Sequence, residues 1–168
     1  MAKTLTFRIQ QQVLSNWCWA ATTLSIVRFY KDPNQDSQCE FVSKVTYLPD
    51  CCQSCHDDGE NSVCNQTFDL GSALWQCGHG VTTSPESPKW DIVVEQIDND
   101  HPVACNVIWD DGGAHAIVIC GYTDDGMLLI ADPEKPGTLI TVNKDFIYSA
   151  NYEARTQSGK IKETFRTK

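Results

Sequence analysis

The chain has 168 residues, of which 41% are hydrophobic, and a formal net charge of −9 at pH 7. This length suffices for one domain, or for two small lobes that share a cleft, with a substantial core. The acidic charge argues against a nucleic-acid-binding protein, which needs a basic surface to neutralise phosphates. No apolar run approaches membrane-spanning length, and the N-terminal residues show no secretory signal pattern.

The first predicted element is a helix that begins near Cys18. Ser15 or Asn16 can cap it, because a short side-chain oxygen satisfies the unpaired N–H groups of a first turn. Cys18 then lies in the first turn, where those N–H groups and the helix dipole favour the thiolate. One face of this helix is predicted to be buried, since apolar residues recur at helical spacing at Ala20, Ala21, Leu24, Val27 and Tyr30. A lone cysteine is more often a small buried apolar residue, but this context indicates a nucleophile.

Six of the nine cysteines lie between residues 39 and 77. Residues 50–65 are polar and without periodicity, so we predict a loop held by covalent links. Disulfides, which imply export, are the first interpretation, and reduced thiols are another. If Cys18 stays free to react, an even number of cysteines remains. A structural zinc site is also compatible with the pattern, with ligands drawn from Cys39, Cys52, Cys55, His56 and Cys64.

Periodicity predicts three short helices before the second half of the chain. One spans residues 40–47, one is capped by Thr67 or Asp69 and ended by Gly78, and one spans residues 90–97. Residues 84–88 are rich in turn-forming residues and are the predicted connection between two lobes. We therefore expect a single catalytic domain over residues 1–168, divided into a helical, Cys-rich lobe (1–88) and an antiparallel β lobe (89–168).

The second half of the chain has strand patterns. Strands are predicted at 103–108, 116–120, 127–131 and 139–142. Asp124-Asp125-Gly126 predicts a hairpin between the second and third of these, and a last hairpin is predicted to turn at Ser158-Gly159. Helices first and antiparallel strands second predict an α+β protein.

Cys18, His115 and Asp132 form a candidate catalytic set. His115 precedes one predicted strand and Asp132 closes its hairpin partner, so antiparallel pairing brings the two side chains to the same end of the sheet. A cysteine nucleophile needs a base for its proton and an acceptor that holds the imidazole in the right tautomer. A histidine at a strand start is, on its own, more often structural. The weaker candidates are His56, His79 and His101, of which His79 is expected to be an exposed turn residue.

Residues 12–21 resemble the active-site segment of papain-like cysteine peptidases, in which a Gln precedes the Cys by six residues and Cys-Trp opens the central helix. The Gly-Gly-Ala-His segment at 112–115, its apolar strand with Gly-Tyr, and Asp132-Pro133 are similar to the family's His and Asp segments. The closer likeness is to the bacterial group that includes the staphopains and the avirulence proteases of plant pathogens. The bacteriocin leader peptidases are more distant. The upstream Cys of the plant Cys-Gly-Ser-Cys-Trp motif is absent, since Ser15 stands in its place.

This resemblance implies a papain-like two-lobed fold, with the nucleophile on the helical lobe and the His and Asp on the β lobe. Cys18 would be the nucleophile, His115 the general base and acid, and Asp132 the residue that orients His115. Gln12 and the backbone N–H of Cys18 would stabilise the oxyanion. Trp109 is expected to pack beneath the site. Four further residues would line the cleft and bind substrate: Asn16, Trp17, Gly113 and Ala114.

The predicted activity is that of a secreted cysteine endopeptidase, acting as a monomer on protein or peptide substrates through an acyl-enzyme. No metal or other cofactor is expected, and no nucleic-acid or membrane partner. One alternative is the same triad used for another acyl transfer, as in a transferase or deamidase. A second is a dedicated leader peptidase, and a third is a catalytically silent binding module held by disulfides or zinc.

Overall fold

A computed structural model of the protein describes residues 2–33, 36–48, 50–59, 62–145, 152–154 and 157–168. These residues form an α+β structure, as the order of the sequence patterns predicts. The helices are α1 (Cys18–Phe29), α2 (Gln38–Thr46), α3 (Leu70–Gln76) and α4 (Trp90–Asp98). The strands are β1 (Lys3–Thr4), β2 (Gly80–Ser84), β3 (Val103–Trp109), β4 (Ala114–Tyr122), β5 (Met127–Ala131), β6 (Leu139–Asn143), β7 (Tyr152–Ala154) and β8 (Gln157–Thr167).

The strands form one antiparallel sheet in the order β2-β8-β3-β4-β5-β6, with β1 added to β4 and β7 to β8. β3 and β4 are central and are buried on both faces. β4 pairs with β5 so that Val118 lies opposite Ala131. Because the strands are antiparallel, the residue after Ala131 lies beside the start of β4. This register brings Asp132 and His115 to the same end of the sheet.

α1 packs against β4 of the sheet and against the helices α2 and α3. Its residues 18–27 are all buried, so the helix is buried on every side and not only on the predicted apolar face. The buried hydroxyl groups are satisfied by backbone carbonyls: Ser25 donates to Ala21 at 2.6 Å and Thr23 to Trp19 at 2.8 Å. Thr22 donates to Ala116 of β4 at 3.4 Å, which joins the helix to the sheet next to His115.

The three other helices lie close to their predicted positions. Asp69, rather than Thr67, caps α3, because its side chain accepts from the Ser72 N–H at 2.7 Å. Ser37 and Glu40 form a capping box at the start of α2 that the sequence analysis missed. None of the helices in the described ranges has the length and apolarity needed to cross a membrane.

The structure corrects one predicted turn and adds two strands that were not predicted. Ser158 and Gly159 lie inside β8, so the predicted turn at these residues is wrong, and the segment that joins β7 to β8 lies outside the described residues. This strand position holds a glycine because Trp109 packs against it: a Cβ there would lie 2.5 Å from the indole ring. β1 and β2 were not predicted, although they lie in the first half of the chain and join the sheet formed by the second half.

The Cys-rich segment (residues 39–77) is cross-linked by two disulfides, which join Cys39 to Cys52 and Cys51 to Cys64. The zinc interpretation lacks support, since two of its ligands are bonded to each other and no group of three metal-binding side chains occurs within the described ranges. The even number of cysteines besides Cys18 predicted that all of them could be paired, but only four form disulfides. The cysteines that remain free are Cys18, Cys55, Cys77, Cys105 and Cys120.

Candidate active site

A cavity of about 350 Å³ lies between the start of α1 and the β3–β4 turn. Cys18 borders it from the helix and His115 from the sheet. Ser15 and Asn16 form its wall before the helix, and residues 112–114 form the wall on the sheet side. The Cys18 thiol and the His115 imidazole therefore border the same cavity.

Cys18 is the first residue of α1 and is 9% exposed. The N-cap is Trp17, and no side chain caps this end of the helix, so the predicted cap by Ser15 or Asn16 is wrong. The first-turn N–H groups and the positive end of the helix dipole consequently face the region where Cys18 lies. Such an end stabilises negative charge, either on sulfur or on a bound oxygen.

Ser15 and Asn16 do not cap the helix because the Cys-rich segment binds them. The side-chain oxygen of Asn65 accepts from the Asn16 N–H at 2.9 Å, and its side-chain nitrogen donates to Ser15 Oγ at 2.9 Å. Asp58 accepts from the Ser15 N–H at 2.6 Å. Asn65 and Asp58 could not be predicted as site residues, since nothing in local spacing links them to residues 43 to 50 positions away.

The two tryptophans beside Cys18 are fixed by the same segment. Trp17 donates its indole N–H to the Cys64 carbonyl at 2.8 Å, and Trp19 donates to the Gln66 carbonyl at 3.1 Å. The Trp17 side chain is fully buried and does not line the cavity, unlike the other predicted cleft residues, Asn16, Gly113 and Ala114. Substrate binding by these residues stays a prediction.

His115 donates from Nε2 to Asp132 Oδ1 at 2.8 Å, in a site where 4% and 0% of the two side chains are exposed. The same oxygen accepts from the Glu134 N–H at 2.8 Å, which fixes the carboxylate in the turn after β5. Burial alone would lower the pKa of His115. The hydrogen bond to Asp132 and the interaction with the Cys18 side chain outweigh burial and raise this pKa to about 10.

Trp109 stacks on the imidazole, with ring centroids 5.9 Å apart and planes inclined by 21°. It lines the cavity as well, so it both packs against the site, as expected, and borders the open space. Gly159 on the neighbouring strand leaves room for the indole. This packing holds one face of the His115 ring, while Asp132 holds its Nε2 atom.

Gln12, like Trp17, is a predicted site residue that does not line the cavity. Its amide nitrogen donates to the carbonyls of Leu14 (3.2 Å) and Ser15 (2.7 Å), and its backbone N–H donates to Pro133 at 3.1 Å. Its side-chain oxygen is buried without a hydrogen-bond partner in the described part of the chain. Gln12 lines an adjoining cavity of about 170 Å³ that shares Ser15 with the first. Its predicted oxyanion role is therefore untested by this geometry.

Comparison with protein families found one match that spans nearly the whole chain. The model described as the Peptidase_C39 like family matches residues 4–160, a range that contains every residue of the site described above. A search of curated protein sequences found no match.

Proposed function

The chain belongs to the Peptidase_C39 like family, and from this premise we propose that it is a cysteine endopeptidase with a Cys18–His115–Asp132 triad. The observation that carries the proposal is the buried His115–Asp132 hydrogen bond, which leaves the second ring nitrogen for the thiol that shares its cavity. The raised pKa of His115 supports an imidazolium at neutral pH, whose positive charge would stabilise the anionic sulfur that attacks the substrate.

In the proposed reaction, the Cys18 thiolate attacks the carbonyl carbon of a peptide bond and forms a C–S bond. The carbonyl oxygen becomes an oxyanion that the Cys18 backbone N–H stabilises. His115 gives its proton to the leaving amine as the C–N bond breaks, and an acyl-enzyme remains. His115 then takes a proton from water, the hydroxide adds to the acyl carbon, and the thiolate leaves with release of the acid.

Gln12 is proposed as a second oxyanion donor. Its amide would have to turn away from the carbonyls of Leu14 and Ser15, to which it now donates. The short backbone link from Gln12 to Pro133 keeps it next to the turn that carries Asp132. Substrate binding that displaces the Ser15 carbonyl would free the amide for the oxyanion.

The finer architecture is part of the same proposal. A two-lobed papain-like arrangement, with residues 1–88 as the helical lobe apart from β1 and β2, residues 89–168 as the β lobe and the cleft between them, is supported by a thiol on a helix and an imidazole on a sheet that border one cavity. The Gln12, Cys18, His115 and Asp132 segments support a relationship to the bacterial staphopain and avirulence-protease group. The two disulfides are consistent with an extracellular protein, and we propose secretion, a monomeric state and protein or peptide substrates.

The test is labelling with an epoxysuccinyl thiol-protease inhibitor without reductant, read by intact mass on wild type, Cys18→Ser and Cys55→Ser. We expect one adduct on wild type and Cys55→Ser, none on Cys18→Ser, and hydrolysis of a protein substrate that is lost in Cys18→Ser and His115→Ala. Cys55 is the matched control because it is a free, half-buried thiol next to a histidine.

Other outcomes separate the alternatives. Labelled Cys18 with ammonia release or transfer to an amine would identify a deamidase or transferase. Labelled Cys18 with no cleavage of general substrates would identify a dedicated leader peptidase. An unlabelled wild type with Cys18 intact would overturn the proposal in favour of a silent binding module.

A further inference from the structure

Asn65 contacts the segment before the nucleophile with almost all of its polar groups. It is 6% exposed and lies 49 positions from Asn16. Its side-chain oxygen accepts from the Asn16 N–H and its carbonyl accepts from the Asn16 side-chain amide, both at 2.9 Å. Its side-chain nitrogen donates to Ser15 Oγ at 2.9 Å and to Asp58 Oδ1 at 3.1 Å. Two residues that favour helix caps are therefore both held by Asn65.

The position of Asn16 shows what this contact prevents. Asn is among the strongest N-cap residues, and a cap side chain accepts from the second or third N–H of its helix. If α1 began one residue earlier, with Asn16 as its cap, that acceptor would lie on the N–H of Cys18 or Trp19. In the structure α1 begins at Cys18, with the uncharged indole of Trp17 at the cap position and no side-chain cap hydrogen bond.

We propose that Asn65 is a positioning residue that keeps Asn16 from capping α1 and so reserves the Cys18 N–H for the substrate oxyanion. The inference rests on the proposed peptidase function. It adds a residue that does not line the cavity and that acts through Asn16.

The Cys-rich segment supplies the strength that this role needs. A capped helix start is more stable than an uncapped one, so an external contact has to hold Asn16 away from the cap position. Cys64, next to Asn65, is bonded to Cys51 and accepts from the Trp17 indole at 2.8 Å. Asp58 accepts hydrogen bonds from both the Asn65 amide and the Ser15 N–H, so it stabilises the contact between Asn65 and residues 15–16.

Two reactions of Cys18 distinguish this role from a general structural one. Alkylation by iodoacetamide forms a C–S bond as iodide leaves and creates no oxyanion. Acylation by a p-nitrophenyl ester forms a thioester as p-nitrophenolate leaves, and passes through an oxyanion. In Asn65→Ala we expect acylation to slow by about a hundredfold while alkylation stays within about threefold of wild type.

The matched control is Asn106→Ala, because Asn106 is also a buried asparagine (9% exposed) and its amide donates to Glu163 at 2.7 Å, away from the cavity lining. We expect it to leave the ratio of the two rates unchanged. Equal slowing of acylation and alkylation in Asn65→Ala would mean that Cys18 is displaced as a whole, and would overturn the inference.

Two further variants test the capping step itself. In an Asn16→Ala background no amide oxygen remains to cap the helix, so Asn65→Ala should cost acylation much less than in wild type. An equal cost in both backgrounds would overturn the inference. Asn65→Asp combined with Asp58→Asn keeps an oxygen for the Asn16 N–H and exchanges the amide and the carboxylate of the 3.1 Å contact, so two carboxylates do not meet. This double variant should retain most of the acylation rate, which keeps the test decisive if Asn65→Ala fails to fold. A loss as large in the double variant as the expected loss in Asn65→Ala would also contradict it.

The same experiment separates this inference from the proposed function. A wild type that alkylates at Cys18 but never acylates would overturn the peptidase proposal and this inference together. A wild type that acylates, with Asn65→Ala acylating equally fast, would overturn the role of Asn65 alone.

Discussion

His115 Nε2 and Asp132 Oδ1 lie 2.8 Å apart in a site that solvent barely reaches. Because Asp132 occupies Nε2, only Nδ1 remains to exchange a proton with the Cys18 thiol. The sheet register sets this relationship, since β4 begins and β5 ends at the same edge. The pair therefore presents one ring nitrogen to the cavity that Cys18 also borders.

The pH dependence of Cys18 reactivity should follow the protonation of His115. Burial lowers the pKa of His115, but Asp132 and Cys18 raise it to about 10 overall, so the imidazolium persists well above neutral pH. We expect the alkaline limb of the kcat/KM profile near pH 10, rather than near the ordinary histidine value of about 6.5. Initial rates on a peptide substrate between pH 5 and pH 11 measure it. An alkaline limb centred near 6.5 would contradict the proposed ion pair.

Asp132→Asn should weaken both catalysis and this protonation. The amide no longer stabilises an imidazolium, so the pKa of His115 should fall and the alkaline limb should move to lower pH. We expect kcat to drop by about a hundredfold or more, as for triads that lose the carboxylate. Asp91→Asn is the matched control, because Asp91 is exposed in the first turn of α4 and does not line the cavity. Unchanged kcat in Asp132→Asn would exclude Asp132 from the triad.

The same pKa shift predicts how folding stability depends on pH. A folded-state pKa above the unfolded value stabilises the protein fully below about pH 6.5, and this contribution is lost as pH rises through about 10. Wild type should therefore lose stability relative to His115→Ala between these two values. Urea unfolding of both proteins at pH 6 and pH 10 measures this. If the free energy of unfolding of wild type minus that of His115→Ala increases from pH 6 to pH 10, the prediction is contradicted.

The positions of His115 and Asp132 were predictable from local signals. His115 lies at the start of β4 and Asp132 follows β5, and both strands are marked by apolar runs that an Asp-Asp-Gly turn connects. The start of α1 was not predictable. Local rules favour a cap at Ser15 or Asn16, but Asn65 and Asp58 compete for these residues from far along the chain. Tertiary contacts of this kind leave no mark in a local pattern.

The sheet edges and the disulfide pairing were also beyond local reasoning. β2 has four exposed residues after a buried glycine, so it lacks the apolar alternation that marks a strand. β1 has only two residues. Cysteine spacing indicated disulfides in the 39–77 segment but not their connectivity, which several pairings satisfy equally well.

The two disulfides should differ in their effect on activity although they close loops of the same size. Each joins cysteines 13 positions apart, so removing either pair should cost a similar stability, about 3 kcal/mol by chain entropy. Only Cys51–Cys64 anchors the segment that holds Trp17 and Asn16.

We therefore expect Cys51→Ser/Cys64→Ser to lose most of its hydrolysis at a temperature where it is still folded, and Cys39→Ser/Cys52→Ser to keep it. Thermal unfolding and kcat/KM measured on both variants provide the comparison. Equal activity in the two would mean that the anchoring does not reach Cys18.

Gly159→Ala should disturb the site through Trp109. Its Cβ would lie 2.5 Å from the indole and 2.8 Å from the Ile108 carbonyl, so the indole has to move from its place on His115. Overpacking of this kind costs about 1–3 kcal/mol of stability. We also expect a lower kcat, and Gly59→Ala, in a surface loop, serves as the control. A stable Gly159→Ala protein with wild-type kcat would show that the stacking is dispensable.

Gln12→Ala tests whether the amide that now holds the Leu14 and Ser15 carbonyls also serves the oxyanion. If the amide turns to the oxyanion in the substrate complex, its loss should slow acylation by about a hundredfold while iodoacetamide alkylation of Cys18 is nearly unchanged. Gln11→Ala, at the exposed neighbouring position, should change neither rate. Parallel slowing of both reactions in Gln12→Ala would mean that the amide only supports the loop before Cys18. In that case the backbone N–H of Cys18 would have to stabilise the oxyanion without Gln12, and the reservation of that N–H by Asn65 would matter more to the rate.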